Sequence, residues 1–331
     1  MKALITGIMG FAGSHLADLL ISKNITVYGF YHPDHETANI DHIKNKIGLI
    51  PANLLDAGQV NLKIKKLDLD YVFHLAASSS PSLSFRHPWD TFENNLKSQI
   101  NLLEALNQIR SKAKILIIGS AEEYGLVSKE ELPLDENARL RPPSPYAVSK
   151  IAQDFLGFEY FIHHKMQIVR VRPFNHIGPR QSPGFVVAAF ASQIAQIEKA
   201  RSGEIKVGNL NSYRDFTDVR DMARAYLLAL EKGKAGDVYN IGSGKLVKIS
   251  KVLELLISLS SAKIDVVIDK SRFAPVEIEA FSCNYSKFHK ATGWKPTIPL
   301  ETTLSDTINY ERGVLNSKHE ILLAEGNANA S

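Results

Sequence analysis

Short apolar runs alternate with amphipathic stretches along most of this chain. Residues 3–6 form an apolar run suited to a buried parallel strand, and Gly7, Gly10 and Gly13 then lead into a helical pattern carried by Leu16, Leu19, Leu20 and Ile21. Residues 26–30 and 49–51 read as second and third strands. Residues 71–77 read as a buried strand ending in small side chains, 91–109 have helical periodicity, and 114–119 are a strongly apolar strand. A helix containing Tyr146 continues over 151–163 and is followed by a strand at 167–171. This βαβα order predicts an α/β fold, a doubly wound parallel sheet with its ligand at the carboxyl ends of the strands. Gly7, Ala76, Ser120 and Arg172 all fall at predicted strand ends, which places their chemistry on one rim. No internal repeat or low-complexity segment interrupts the pattern.

The first strand-to-helix turn reads Thr6-Gly7-x-x-Gly10-x-x-Gly13, a variant of the glycine-rich dinucleotide fingerprint. Its physical content is a tight turn, close approach of backbone to a pyrophosphate, and a helix N-terminus that favours anions. The sheet is therefore expected to be of Rossmann type. Farther along, Tyr146 and Lys150 stand four residues apart, on one helix face and one turn from each other. A free phenol titrates at about 10, and a lysine charge beside it is expected to lower that value toward the working range. Ser120, at the end of a buried strand, could hydrogen-bond the same substrate oxygen that the tyrosine serves.

Composition narrows the class. The 331 residues suffice for one main domain and an appended lobe. A formal charge of +4 with 22% charged residues, and basic side chains without aromatic interleaving, gives no argument for nucleic acid. Cys283 is the single cysteine, which excludes an internal disulfide and a paired-cysteine metal site; no metal is expected. No apolar run approaches the length of a membrane span, and the glycines break the first apolar segment, so a soluble cytoplasmic protein without a signal peptide is expected.

Taken together the motifs carry a family resemblance over about residues 1–313. The chain resembles the extended short-chain dehydrogenases/reductases of the NAD-dependent epimerase/dehydratase family. The strings are Thr6-Gly7-x-x-Gly10-x-x-Gly13, His74-Leu75-Ala76-Ala77, Asn95, Ser120, Tyr146-x-x-x-Lys150, Arg172-Pro173-Phe174-Asn175 and Thr292-Gly293-Trp294-Lys295-Pro296. Residues 172–179, 181–185, 207–210, 214–221 and 239–244 are similar to those of the GDP-6-deoxy-D-lyxo-4-hexulose reductases. Those enzymes reduce the 4-keto group of GDP-4-dehydro-6-deoxy-D-mannose to give GDP-D-rhamnose.

The resemblance implies a division into a dinucleotide-binding domain with the catalytic residues (1–172), a smaller α/β lobe mainly for the nucleotide sugar (173–313), and a loose tail (314–331). It implies Tyr146 as general acid toward the sugar's C4 oxygen, Lys150 tuning the phenol and binding the nicotinamide ribose, and Ser120 orienting the ketone. The implied cofactor contacts are Gly7, Gly10, Phe11, Ala12, Gly13, His32, Asn53, Leu54, Leu75, Ala76, Ala77 and Asn95, with Tyr146 and Lys150. Ser120, Asn175, Val186, Arg214 and Arg272 would bind substrate; Val207 reads as core, and Arg180 and Arg220 as solvated surface.

Three points stay open at this stage. Glu122 keeps an acid where the related 4,6-dehydratases use one to move the C5 and C6 protons, although Ala121 replaces their usual Ser or Asp. The reductase reading therefore stands beside a GDP-mannose 4,6-dehydratase, a nucleotide-sugar epimerase, and an idle dinucleotide-binding regulator or scaffold. The second strand ends Tyr31-His32-Pro33 with neither an acid nor an arginine, and NADP(H) is favoured slightly over NAD(H). Ala274 stands where relatives carry an arginine after Arg272, which bears on the nucleotide. The helices at 91–109 and 148–163 are those by which the family forms homodimers through a four-helix bundle; Phe92, Leu96, Ile100 and Leu103 make an apolar stripe there.

Overall fold

The structure is a computed structural model and describes residues 1–34, 36–273 and 276–328, with side chains described through residue 317. The first half alternates strand and helix: β1 (Lys2–Thr6), α1 (Phe11–Ser22), β2 (Thr26–Tyr31), β3 (Ile47–Pro51), α2 (Ala57–Ile64), β4 (Tyr71–His74), α3 (Pro81–Arg86), α4 (Pro88–Phe92), α5 (Ser98–Gln108), β5 (Lys114–Ile118), α6 (Pro145–His164) and β6 (Gln167–Pro173). The second half continues β7 (Asn175–Ile177), α7 (Val186–Ala200), β8 (Ser202–Val207), β9 (Tyr213–Asp218), α8 (Val219–Lys232), β10 (Val238–Ile241), β11 (Leu246–Lys248), α9 (Ile249–Ser258), β12 (Lys263–Ile268), α10 (Ser286–Thr292) and α11 (Leu300–Ala328). The region expected to be a loose tail is thus helical as far as Ala328.

Seven strands form one parallel sheet in the order β10-β6-β5-β4-β1-β2-β3. Chain order reverses between β1 and β4, where Ile5 pairs with Phe73, and this switch point opens the crevice in which such sheets bind ligands. Side-chain alternation in the strands feeds two cores. Ala3, Ile5, Leu116 and Val171 face α1 and α8, whereas Leu4, Ile115, Ile117 and Ile168 face α2, α5 and α6. Trimming a side chain as deeply buried as Leu116 to Ala costs about 2–5 kcal/mol in such a setting.

β10, α8 and α10 return from the second half to the edge and face of this sheet, so the domains interleave in sequence. The remainder of the second half is a lobe of two small sheets, β11-β9-β7 and β12-β8, around a third core between α7, α9 and α11.

The helix expected over residues 91–109 is broken by a π-turn at Glu93–Lys97 between α4 and α5. The extra residue turns Asn95, wholly buried, inward: its Oδ1 accepts from the Ser78 amide at 2.7 Å and its Nδ2 donates to Ser149 Oγ at 2.9 Å. A helical period alone does not reveal such a bulge.

Candidate active site

The carboxyl ends of β1, β4, β5 and β6 and the second lobe enclose a cleft of about 770 Å³. Its floor is the glycine turn. Gly7 has φ +70°, and a Cβ there would stand 2.9 Å from the Ala76 backbone, so only glycine lets β1 turn against the end of β4. A Cβ on Gly13 would strike the Gly7 carbonyl. α1 has no acidic residue in its first turn and no side-chain cap, which leaves its N–H groups and dipole facing the cleft. These features fit a dinucleotide pyrophosphate: close backbone, positive helix end and no side chain in the way.

The sequence-selected residues largely converge. Gly10, Phe11 and Ala12 line the cleft from α1, His32 from the end of β2, Asn53 and Leu54 from the end of β3, and Leu75, Ala76 and Ala77 from β4. Ser120, Glu122, Tyr146, Lys150, Asn175 and Val186 line the remainder. Three selected residues do not reach the wall. Asn95 lies beneath it, tied to Ser78 and Ser149, and its neighbour Asn94 faces the cleft instead. Arg214 spends Nη1 on the Tyr213 and Ile278 carbonyls at 2.8 and 2.9 Å, and Arg272 faces Asp269 at 3.4 Å. Ala274 falls outside the described residues. Val207 is core, as expected. Arg180 and Arg220 are ion-paired with Asp18 (2.8 Å) and with Asp218 and Asp306 (2.7 and 2.8 Å), rather than merely solvated.

Tyr146 and Lys150 sit in the first two turns of α6, which Ser144 caps through a bond from the Ala147 amide at 3.1 Å. Pro145 at the first helical position supports the same start. The Lys150 ammonium donates to the Ile118 carbonyl at 3.0 Å and to Gln153 Oε1 at 2.9 Å, and Gln153 Nε2 passes the chain to the Asn95 carbonyl at 2.9 Å. Burial lowers Lys150 to about 8, while Glu123 opposes that shift. Tyr146 departs from the expectation. Burial pushes its phenol up from 10.0, a hydrogen bond with Ser120 pulls the other way, and the lysine is engaged with Ile118 and Gln153. The phenol is therefore neutral and holds its proton, the state a donor requires.

Ser120 follows β5 and caps the short turn Ala121–Glu123; its Oγ accepts from the Glu122 amide at 3.1 Å, and its own proton is directed at the Tyr146 phenol on the cleft wall. Burial raises the Glu122 carboxyl, with Arg214 acting oppositely. Below the site, His74 Nδ1 lies within hydrogen-bond distance, 2.9 Å, of Thr6 Oγ1, which accepts from the Ala76 amide at 3.2 Å. Burial, then the Lys150 charge, lower His74 to about 3, and it stays neutral.

Sequence reasoning did not select several wall residues, among them Gln181, Phe185, Phe216 and Phe281. Gln181, Phe185 and Phe216 lie in the strings quoted above, but Phe281 is a lone aromatic in a sequence with 15 phenylalanines, and only the tertiary fold brings it to the wall.

A Gly-rich anion cradle at the sheet's switch point, beside a Ser, Tyr and Lys, defines an NAD(P)-dependent oxidoreductase of the extended short-chain type. The sequence profile of GDP-mannose 4,6 dehydratase matches residues 4–307, and the chain belongs to that family. It is similar to the GDP-6-deoxy-D-mannose reductase of Pseudomonas aeruginosa, 33% identical over 92% of this chain and 94% of the relative. It is also similar to the GDP-mannose 4,6-dehydratase of Yersinia enterocolitica, 28% identical over 98% of this chain and 97% of the relative. Among solved structures, RMD from P. aeruginosa complexed with NADPH superposes with a TM-score of 0.80 at 32% identity, covering 94% of this chain and 99% of that one. The UDP-glucose 4-epimerase of Thermotoga maritima with UDP-glucose gives 0.87 at 27% identity, covering 95% and 100%.

Proposed function

We propose that this protein reduces the C4 ketone of GDP-4-dehydro-6-deoxy-D-mannose to GDP-D-rhamnose. The observation that carries the reading is a buried, neutral Tyr146 phenol beside Ser120, a pair ready to hydrogen-bond and protonate a ketone oxygen. A bound reduced nicotinamide supplies the hydride. Ser120 donates to the ketone oxygen and fixes its position, and Tyr146 gives up its proton as charge develops there. Lys150, cationic below pH of about 8, stabilises the phenolate left behind. Gly7, Gly10 and Gly13 would hold the cofactor's pyrophosphate against the start of α1. NADP(H) is the proposed form, supported by the relative complexed with NADPH; His32 on the wall is the group that would meet a 2′-phosphate.

Dehydration is the second reading, and Glu122 on the wall favours it. Eliminating water requires a proton to leave C5 and another to reach the C6 hydroxyl. From this turn only Glu122 offers an acid to the cleft: Ala121 has none, and Glu123 is turned away beneath Ser120. The test combines the protein, NADPH and the 4-keto sugar. Stoichiometric loss of reduced cofactor with GDP-D-rhamnose as product is the expected result. Conversion of GDP-mannose to the 4-keto sugar without added cofactor would overturn it.

The protein is also proposed to pair through α4, α5 and α6. Trp89, Phe155 and Ile162 leave 73%, 50% and 49% of their surface exposed there, a stripe suited to a matching stripe on a second copy. Light scattering should report a dimer for the native chain and a monomer for Phe155→Glu; a native monomer refutes the pairing.

A further inference from the structure

We propose that Glu123 is a positioning residue that sets Ser120 in register with Tyr146 and Lys150. The inference rests on the reading that Ser120 orients the ketone.

Two Ser-x-x-Glu strings, Ser120/Glu123 and Ser128/Glu131, each cap a three-residue turn. In both, the glutamate accepts from the serine amide at 2.8 Å. Their surroundings differ. Glu131 keeps 35% of its side chain in solvent and pairs with Arg141, which suits a surface cap. Glu123 has 0% exposure. A carboxylate removed from water is a costly way to cap three residues unless its second oxygen also has a partner.

That oxygen lies 3.0 Å from Arg172 Nε as an ion pair without a hydrogen bond, because the Nε proton goes to Asp154. Arg172, on β6, donates through Nε and Nη2 to Asp154 Oδ2 at 2.8 and 2.6 Å, and Arg170 Nη1 donates to Asp154 Oδ1 at 2.6 Å. Asp154 stands one turn beyond Lys150 on α6. Contacts thus run from the Ser120 amide through Glu123 and Arg172 to the helix that carries Tyr146 and Lys150. They join three elements that are separate in sequence, and the serine's register to the phenol passes through a carboxylate. Gly119 leaves the room: a Cβ there would strike Glu123 Oε1 and lie 3.1 Å from the Val171 carbonyl.

The charged and titratable groups facing Glu123 are Arg172 from β6, Asp154, Tyr146 and Lys150 from α6, and Tyr124 beside it. Burial, with Asp154 adding to it, raises the Glu123 carboxyl, while the Arg172 guanidinium opposes the rise. Gln cannot replace it. An amide oriented to accept from Ser120 presents its NH₂ to the Arg172 guanidinium, and the reverse orientation opposes two N–H donors at Ser120.

The test compares Glu123→Gln, Ser120→Ala and the double variant, with Glu123→Asp as a charge-retaining control that is one carbon too short to span Ser120 and Arg172. In the native background both Glu123 changes should lower kcat by about 10- to 100-fold, the scale of a small misplacement, with the cofactor Kd within about twofold. In the Ser120→Ala background the same changes should cost less than about twofold, because a residue that acts through Ser120 has nothing left to position. Amide exchange at Ser120, followed by NMR without substrate, should quicken in Glu123→Gln. Additive losses, or unchanged Ser120 exchange, would overturn the proposal. If the native protein fails to oxidise NADPH with the keto sugar, the reductase reading fails, and the exchange measurement still decides the role of Glu123.

Discussion

The two sides of the cleft are built in different ways. On the sheet side, Gly7, Gly10, Ala76 and Ala77 present mainly backbone at strand ends, and their geometry is fixed by parallel pairing and by the start of α1. On the lobe side, Asn175, Gln181, Val186, Phe216 and Phe281 present side chains from five places in the sequence. Backbone recognition tolerates few changes and serves a constant ligand part. Side-chain recognition permits drift, and that side is where reductases, dehydratases and epimerases of one fold can diverge. The proposed catalytic residues belong to the sheet side by position, since Ser120 follows β5 and Tyr146 and Lys150 stand on the helix that precedes β6.

The largest expected effect tests that placement. Tyr146→Phe should lower kcat by about 10²- to 10⁴-fold, the usual contribution of a positioned acid, while fluorescence titration shows NADPH affinity little changed. Activity within tenfold of native would remove the phenol from the mechanism. Gly7→Val should come next. At φ +70° a β-branched side chain is strained and meets Ala76, so cofactor affinity should fall at least tenfold and the melting temperature should drop. Asn175→Ala is its counterpart across the cleft. It should raise the sugar's KM several-fold and leave NADPH binding unchanged; parallel losses in both would show that the two sides are not separable.

A separate effect, on stability rather than activity, is a pH dependence. Burial lowers His15 to about 4 and His74 to about 3, below the ordinary 6.5. Between those values and 6.5 the unfolded chain binds protons that the folded chain refuses, so stability falls as pH drops through that window. Each imidazole should remove roughly 2–3 kcal/mol between pH 6.5 and 4. Thermal melts of His15→Gln, which keeps an N–H for the Pro179 carbonyl, should show a shallower decline than native. An identical slope would contradict the assignment.

The same contrast explains what could be read in advance. Strand runs such as residues 114–119 and the glycine turn follow from local rules, because parallel pairing and tight turns demand specific residue types. Ser120, Tyr146 and Lys150 were legible for the same reason, each standing at the end of a strand or the start of a helix. Other features depend on what arrives from elsewhere. The Tyr146 phenol is raised rather than lowered because it is buried, while Lys150 donates to Ile118 and to Gln153, a residue with no signal in the sequence. Asn95 was chosen as a cofactor ligand, yet the π-turn buries it under the wall. Arg214 does not line the wall; its Nη1 donates to the carbonyls of residues 213 and 278. Long-range packing decides such cases.

The central claim is that hydride passes from a bound reduced nicotinamide to the sugar's C4 carbon. NADPH deuterated at the transferable nicotinamide position, supplied with GDP-4-dehydro-6-deoxy-D-mannose, tests it directly by mass spectrometry and NMR of the product. One deuterium at C4 of the hexose for each NADPH consumed is the expected result. Product without deuterium, or water lost from GDP-mannose with no NADPH consumed, would contradict it.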